Sequence, residues 1–201
     1  LQLNLESLRA ELDDAQPDLP PGRAREWKTL LDELSDGANR IGQLVSGLQH
    51  HTRPDGPPAP AVSVRLLVQR AQLLSGVHLQ PGATAQVHVP EGLQVIGRET
   101  QLVQVLLNLM QNALQACNEA GLPLALDVRA EPTQHGVSLT LQDNGPGMDP
   151  DLLLRVKEPF VTTRHGGVAT GLGLYVCEAI VQAHGGDFWL ESAPGAGTTA
   201  R

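Results

Sequence analysis

Four prolines stand within the eight residues Arg53-Pro-Asp-Gly-Pro-Pro-Ala-Pro60. Proline lacks a backbone N–H and fixes φ, so neither a helix nor a central strand can pass through this stretch. The chain must therefore fold as separate pieces, and the expected boundaries are 1–53, a connector at 54–61, and 62–201. In the first piece Leu1, Leu5, Leu8 and Leu12 recur at helical spacing, with Glu6, Arg9, Glu11 and Asp13 turned away. Gln16-Pro-Asp-Leu-Pro-Pro-Gly22 breaks that helix, and a longer one is expected at about 23–52. Its apolar positions (Trp27, Leu30, Leu34, Ala38, Ile41, Leu44 and Leu48) recur at roughly 3.5 residues, which suits a seam between helices. The piece is read as a helical hairpin that pairs with a second copy to form a four-helix bundle. The same pattern also fits a hairpin packed on its own domain. Because the first residue is Leu1 and not Met, the opening helix is expected to be cut and the chain to be a fragment.

Beyond the connector the pattern is mixed. Val62–Ser75 is predicted helical, Ala85–Val89 alternates like a strand, and Arg98–Ala120 is a long helix stopped by Gly121 and Pro123. Leu124–Ala130 and Val137–Gln142 are expected to pair around the turn Thr133-Gln-His-Gly136. A Gly-rich stretch at 157–173, a helix at 174–184 and strands near 187–192 and 197–201 complete the chain. This order predicts an α+β sandwich, a mixed sheet with helices on one face. Composition narrows the partners. The net charge is −8 and only five residues are aromatic, so the cationic field and stacking platforms of nucleic-acid binders are missing. The same charge disfavours an anionic membrane surface, and no run of about 18 apolar residues exists to span one. Cys117 and Cys177 are the two cysteines, too few for a disulfide framework or a four-ligand zinc site. No segment resembles a signal peptide, which makes a reducing cytoplasm the expected compartment.

Three clusters carry possible chemistry. Asn108-Leu-Met-Gln-Asn112 places two carboxamides at i and i+4 on one helix face. An amide oxygen is a hard neutral ligand suited to Mg²⁺, although an Asn pair on a solvated face is also ordinary. Asp143-Asn-Gly-Pro-Gly-Met148 ends an alternating run, so a carboxylate stands at a strand end beside glycines that leave room for a base. A plain polar turn has the same composition. Glu158-Pro-Phe-Val-Thr-Thr-Arg164 and His165-Gly-Gly167 precede Thr170-Gly-Leu-Gly-Leu174, where Gly171 and Gly173 open a helix whose N-terminus suits phosphate. Neither the P-loop nor the dinucleotide fingerprint is matched, and a flexible loop capped at Thr170 fits equally.

In that order the clusters resemble the N, G1, F and G2 boxes of sensor histidine kinases, within the GHKL superfamily. Gly195-Ala-Gly-Thr-Thr199 is similar to the Gly-x-Gly-Thr strand that closes the domain. The resemblance covers roughly 62–201 and implies a Bergerat-type α/β sandwich; the upstream hairpin is similar to the family's dimerisation domain. By resemblance, Asn112 would hold Mg²⁺ against the triphosphate of ATP with Asn108 assisting, and Asp143 would read the adenine amino group. Gly145 and Gly147 would admit the base, and Thr198 or Thr199 would support an adenine-site water. The stretch 157–171 is similar to the mobile lid. Thr163 and Arg164 would face phosphate, Gly171, Leu172, Gly173 and Leu174 would present the phosphate-binding turn, and Phe160 would pack the lid onto the domain body.

Two departures stand out. Related ATPases of the gyrase and Hsp90 type place a Glu where Asn108 stands here, and an amide cannot take a proton at neutral pH. Val168 and Ala169 separate Gly167 from Thr170, which points to a longer lid. None of the seven histidines (His50, His51, His78, His88, His135, His165 and His184) has the context of a phosphorylated His, so the acceptor is expected upstream of Leu1. The implied function is a histidine kinase core: a homodimer that binds ATP·Mg²⁺, phosphorylates that His and relays the group to an Asp on a response-regulator receiver domain. An ATP-binding regulatory module without phosphotransfer and a GHKL-type ATPase are the alternatives.

Overall fold

The computed structural model describes residues 59–163 and 170–201, together with Arg23 and Trp27. The expected helical hairpin and most of the connector lie outside the described residues, as do Arg164 and His165. The described chain opens on a short strand, β1 (Ala61–Ser63), followed by α1 (Val64–Ser75). The sequence predicted one helix over Val62–Ser75. Instead Val62 pairs with Val95 and Ser63 with Gln94, and Ser63 Oγ accepts from Leu66 N–H at 3.4 Å to start the helix one residue on. Gly76 ends α1 in a left-handed conformation, φ 70°.

After β2 (Thr84–His88) comes β3 (Gln94–Ile96), a strand too short to show a period in sequence and bounded by Gly92 and Gly97. Among the described residues it pairs with β1 alone, in an antiparallel ribbon. The long helix α2 (Glu99–Glu119) buries Val103, Leu106, Met110, Ala113 and Cys117, the three- and four-residue spacing of an amphipathic helix. No side chain of its own caps it. Arg98 N–H instead donates to His184 Nε2 at 3.1 Å, while His184 Nδ1 lies 2.7 Å from the Ile180 carbonyl. Gly97 allows this approach, since a Cβ there would fall 2.8 Å from His184 Cδ2. His184→Ala should therefore lower the unfolding free energy by about 1 kcal/mol, the ordinary value of a helix cap. Urea denaturation that left the midpoint unmoved would remove His184 from that role.

β4 (Ala125–Pro132) and β5 (Val137–Asp143) form the expected hairpin, with Thr133 N–H donating to the Gly136 carbonyl at 2.9 Å. Then α3 (Pro150–Arg155) appears, a six-residue helix that the sequence reading did not include. Its signals were local: Asp149 Oδ1 accepts from Leu152 N–H at 2.9 Å and Pro150 occupies the first turn. α4 (Gly173–Ala183) and the antiparallel pair β6 (Leu190–Ser192) and β7 (Thr198–Ala200) complete the fold. The main sheet has the order β2-β4-β5-β7-β6, parallel between β2 and β4 and antiparallel elsewhere. Leu126, Val128 and Ala130 of β4 and Leu141 and Asp143 of β5 are buried on one face, while Arg129, Glu131 and Gln142 are exposed on the other. That alternation is the mark of a half-covered sheet, with α1, α2 and α4 on the buried side. Among the described residues, no helix is long and apolar enough to cross a membrane.

Candidate functional site

α2 and α4 meet through buried polar contacts as well as apolar ones. Asn108 is 6% exposed, and its Nδ2 donates to the Gly173 carbonyl at 3.3 Å. One turn further up α4, the Cys177 thiol donates to the Val105 carbonyl at 3.7 Å. Burial pushes the Cys177 thiol up to about 12, and burial followed by the Asp143 charge raises that of Cys117. Both cysteines are therefore protonated packing groups, not nucleophiles. The Asn108 bond fixes the first turn of α4 against the middle of α2. Asn112 sits one turn along α2, and a Cβ on Gly173 would lie 3.8 Å from its Nδ2.

Between α2, the end of β5, α3 and the start of α4 opens a cavity of about 760 Å³. Its size falls within the roughly 300–1,000 Å³ of small-molecule sites. One end is built around Asp143, which is 9% exposed. Gly145 N–H donates to its Oδ1 at 2.8 Å and Thr198 N–H to the same oxygen at 3.2 Å. Burial raises its carboxyl above the ordinary value, and these two N–H groups oppose the rise. Asn144 acts elsewhere: its Oδ1 accepts from Ala125 N–H at 2.7 Å and its Nδ2 donates to the Pro123 carbonyl at 3.0 Å, which pins the start of β4. Gly147 is required by packing, since with φ 69° a Cβ would fall 1.9 Å from the Ala193 carbonyl oxygen.

The other end of the cavity is formed by the N-terminal turn of α4 and by the segment after α3. Phe160 N–H donates to the Gly171 carbonyl at 3.0 Å, so the two ends of the stretch between them are held together. Gly171, with φ 64°, has no room for a side chain: a Cβ would fall 2.5 Å from the Phe160 carbonyl carbon. Lys157 ties the same base to α4, donating to Glu178 Oε1 at 2.6 Å. Leu172, not Thr170, is the capping position of α4, and Thr170 Oγ1 accepts from Leu172 N–H at 3.3 Å.

The residues singled out from sequence separate as follows. Asn108, Asn112, Asp143, Gly147 and Thr198 line the cavity at the α2 and sheet side; Thr163, Gly171, Gly173 and Leu174 line it at the opposite end, beside the start of α4. Gly145 stands behind Asp143 and Leu172 is buried beneath the turn, both outside the lining. Thr199 needs correction: it pairs with Gln142 and faces the opposite side of the sheet, because side chains alternate along β7. So does Phe160, which is 70% exposed with a left-handed φ of 67° and does not pack onto the body. Sequence reasoning missed Met148, Leu152 and Val156, which line the cavity between its ends. The capping signals at Asp149 and Pro150 could have placed them.

Comparison with known proteins agrees with this architecture. Residues 97–201 match the family described as histidine kinase-, DNA gyrase B- and HSP90-like ATPase. The C4-dicarboxylate transport sensor protein DctB of Pseudomonas aeruginosa is 33% identical over 190 residues, 90% of this chain and 30% of that protein. The sensor histidine kinase ZraS of Escherichia coli is 33% identical over 175 residues, 85% of this chain and 36% of that protein. The chain thus spans about a third of the length of these curated relatives. Among solved structures, the catalytic domain of histidine kinase ThkA has a TM-score of 0.62 at 26% identity, over 72% of this chain and 93% of that one. Full-length ShkA has a TM-score of 0.72 over 99% of this chain and 44% of its own, at 23% identity, a likeness of fold.

Proposed function

Because this chain belongs to the histidine kinase-, DNA gyrase B- and HSP90-like ATPase family, we propose that its cavity binds ATP with Mg²⁺ and that it is the catalytic part of a cytoplasmic sensor histidine kinase. The observation that carries the reading is the pairing of ends: a buried carboxylate at Asp143 and a glycine-bordered helix N-terminus at Gly173, on opposite sides of one cavity. A base amino group donates to Asp143 at the first end. The amides about Gly171 and Gly173, with the positive end of the α4 dipole, receive phosphates at the second.

The donor set fits Mg²⁺. Among the described residues no three His, Cys, Asp or Glu side chains gather to hold a metal. Mg²⁺ needs only one or two protein oxygens when phosphates and water complete its shell, and the Asn112 amide oxygen supplies one, with Asn108 a turn away. When bound, the ion neutralises charge on the transferring phosphoryl group. With a net charge of −8, the chain meets its anionic ligand with amides and this ion, not with a basic patch. Asn112→Ala should accordingly abolish the Mg²⁺-dependent part of ADP affinity. Calorimetry with and without Mg²⁺ reads this directly, and an unchanged Mg²⁺ dependence refutes the role.

Transfer fits the site better than hydrolysis. Where the resembling gyrase-type ATPases carry a Glu, this chain has Asn108, an amide that cannot take a proton at neutral pH and that donates to the Gly173 carbonyl. In the proposed reaction an imidazole nitrogen attacks the γ-phosphorus in line, the bond to the β–γ bridging oxygen breaks, and ADP leaves; positioning and charge stabilisation supply the rate. The acceptor is assigned to a helical hairpin that residues 1–53 help to form as a homodimer, with 62–201 as the ATP-binding domain. ThkA has been solved in complex with the response regulator protein TrrA. That likeness supports an Asp on a receiver domain as the next acceptor. The test is labelling of the natural full-length protein with γ-labelled ATP. Acid-labile, base-stable label on a His is the expected result; nucleotide binding without label would leave a regulatory module in its place.

A further inference from the structure

Ser192 ends β6, outside the cavity lining, yet its hydroxyl meets three polar groups. Met148 N–H donates to Oγ at 2.9 Å, the Gly197 carbonyl oxygen lies 2.7 Å from it, and Thr198 Oγ1 lies 3.0 Å away. A hydroxyl has one proton and two lone pairs. The Gly197 carbonyl can only accept, so the Ser192 proton goes there. Met148 N–H can only donate and occupies one lone pair. The remaining lone pair faces Thr198, so the proton in that contact belongs to Thr198. Strand register supports the arrangement, because Ser192 and Thr198 are direct partners across β6 and β7.

Thr198 is thereby left with lone pairs only, and it lines the cavity beside Asp143. Asp143 accepts both of its backbone donors at Oδ1. We propose that Ser192 is a positioning residue that sets the polarity of the base-reading end: by taking the Thr198 proton it makes that end acceptor-only. Such an end favours a base that offers an amino group and disfavours one that offers a carbonyl oxygen in its place. Adenine offers the amino group; hypoxanthine, of nearly the same shape, offers the oxygen. The inference rests on the reading that an adenine nucleotide occupies this cavity.

The test is calorimetric titration of the 201-residue chain with ADP and with inosine diphosphate, both with Mg²⁺. The native chain should prefer ADP. In Ser192→Ala the Thr198 proton is released to the cavity, and the ADP preference should fall about tenfold, the value of one reversed hydrogen bond. Ser192→Thr keeps a hydroxyl and should restore the preference. Adding Ser192→Ala to Thr198→Val should leave the preference where Thr198→Val alone puts it. A purely structural lesion weakens both nucleotides alike, so a native ratio in Ser192→Ala overturns the inference while the adenine reading stands. Failure of the native chain to bind ADP, or equal affinity for both nucleotides, overturns the adenine reading itself. Neutron diffraction on the deuterated native chain gives a readout free of any folding defect. A deuteron on Thr198 directed at Ser192 is expected, and one on Ser192 directed at Thr198 contradicts the proposal.

Discussion

Replacing Asp143 with Asn should lower the affinity for ADP at least a hundredfold while leaving the folded chain as stable at neutral pH, or more so. Asp143 Oδ1 receives two backbone N–H groups, from Gly145 and Thr198. Those donors force the oxygen of the isosteric Asn into the same position. The atom left for the ligand changes from a carboxylate oxygen to an NH₂ group, which then faces the amino group of adenine donor to donor. Two buried donors without acceptors cost about 1–3 kcal/mol each, and a hundredfold loss corresponds to about 2.7 kcal/mol. The stability side follows from linkage. Burial raises the Asp143 carboxyl in the folded chain above its ordinary value. The folded chain therefore holds this proton more tightly than the unfolded chain does. Its contribution to stability is complete below the unfolded value, near ~3.9, and is lost as pH rises through the raised folded value. Above the raised folded value the ionised group carries the burial cost, and Asn removes it. Urea denaturation should show Asp143→Asn gaining on the native chain at pH 7, with the gain shrinking toward acid. Native ADP affinity in this variant would sink the assignment of Asp143.

The second large effect is predicted in a loop that never touches the ligand. Gly197 has φ 76°, and a Cβ there would fall 2.0 Å from the Asp143 carbonyl oxygen and 3.2 Å from Asn144 Cα. Both are backbone atoms at the end of β5, so neither can yield without moving Asp143. Gly197→Ala should destabilise the chain by about 3 kcal/mol or more, combining left-handed strain with overpacking. Gly195 is the control. Its φ is 78°, yet a Cβ there meets nothing within 4 Å. Gly195→Ala should cost only the conformational part, about 1–2 kcal/mol. Equal losses for the two variants in thermal denaturation would mean that the contact with Asp143 is not what requires glycine at 197.

These two sites show where sequence reading reached its limit. Asp143 was legible because an alternating strand ends on it and glycines follow at 145 and 147. The long helix was legible because its period holds for 21 residues. What failed was either short or remote. β3 and α3 span 3 and 6 residues, less than a period needs to declare itself. Val62 and Ser63 follow a helical pattern locally but are drawn into a strand by Val95 and Gln94, far along the chain, where pairing outweighs propensity. Thr198 and Thr199 could not be told apart until the strand register put one on each face. The Ser192 hydroxyl and the His184 cap act across 44 and 86 residues of chain. No local pattern marks either.

A crystal structure of the 201-residue chain with a non-hydrolysable ATP analogue and Mg²⁺ would show whether one nucleotide spans both ends of the cavity. The expected result is the adenine amino group on Asp143, the phosphates over the amides between Gly171 and Gly173, and the metal about 2.1 Å from the Asn112 amide oxygen. A ligand bound outside this cavity, or one with its base turned away from Asp143, would contradict it.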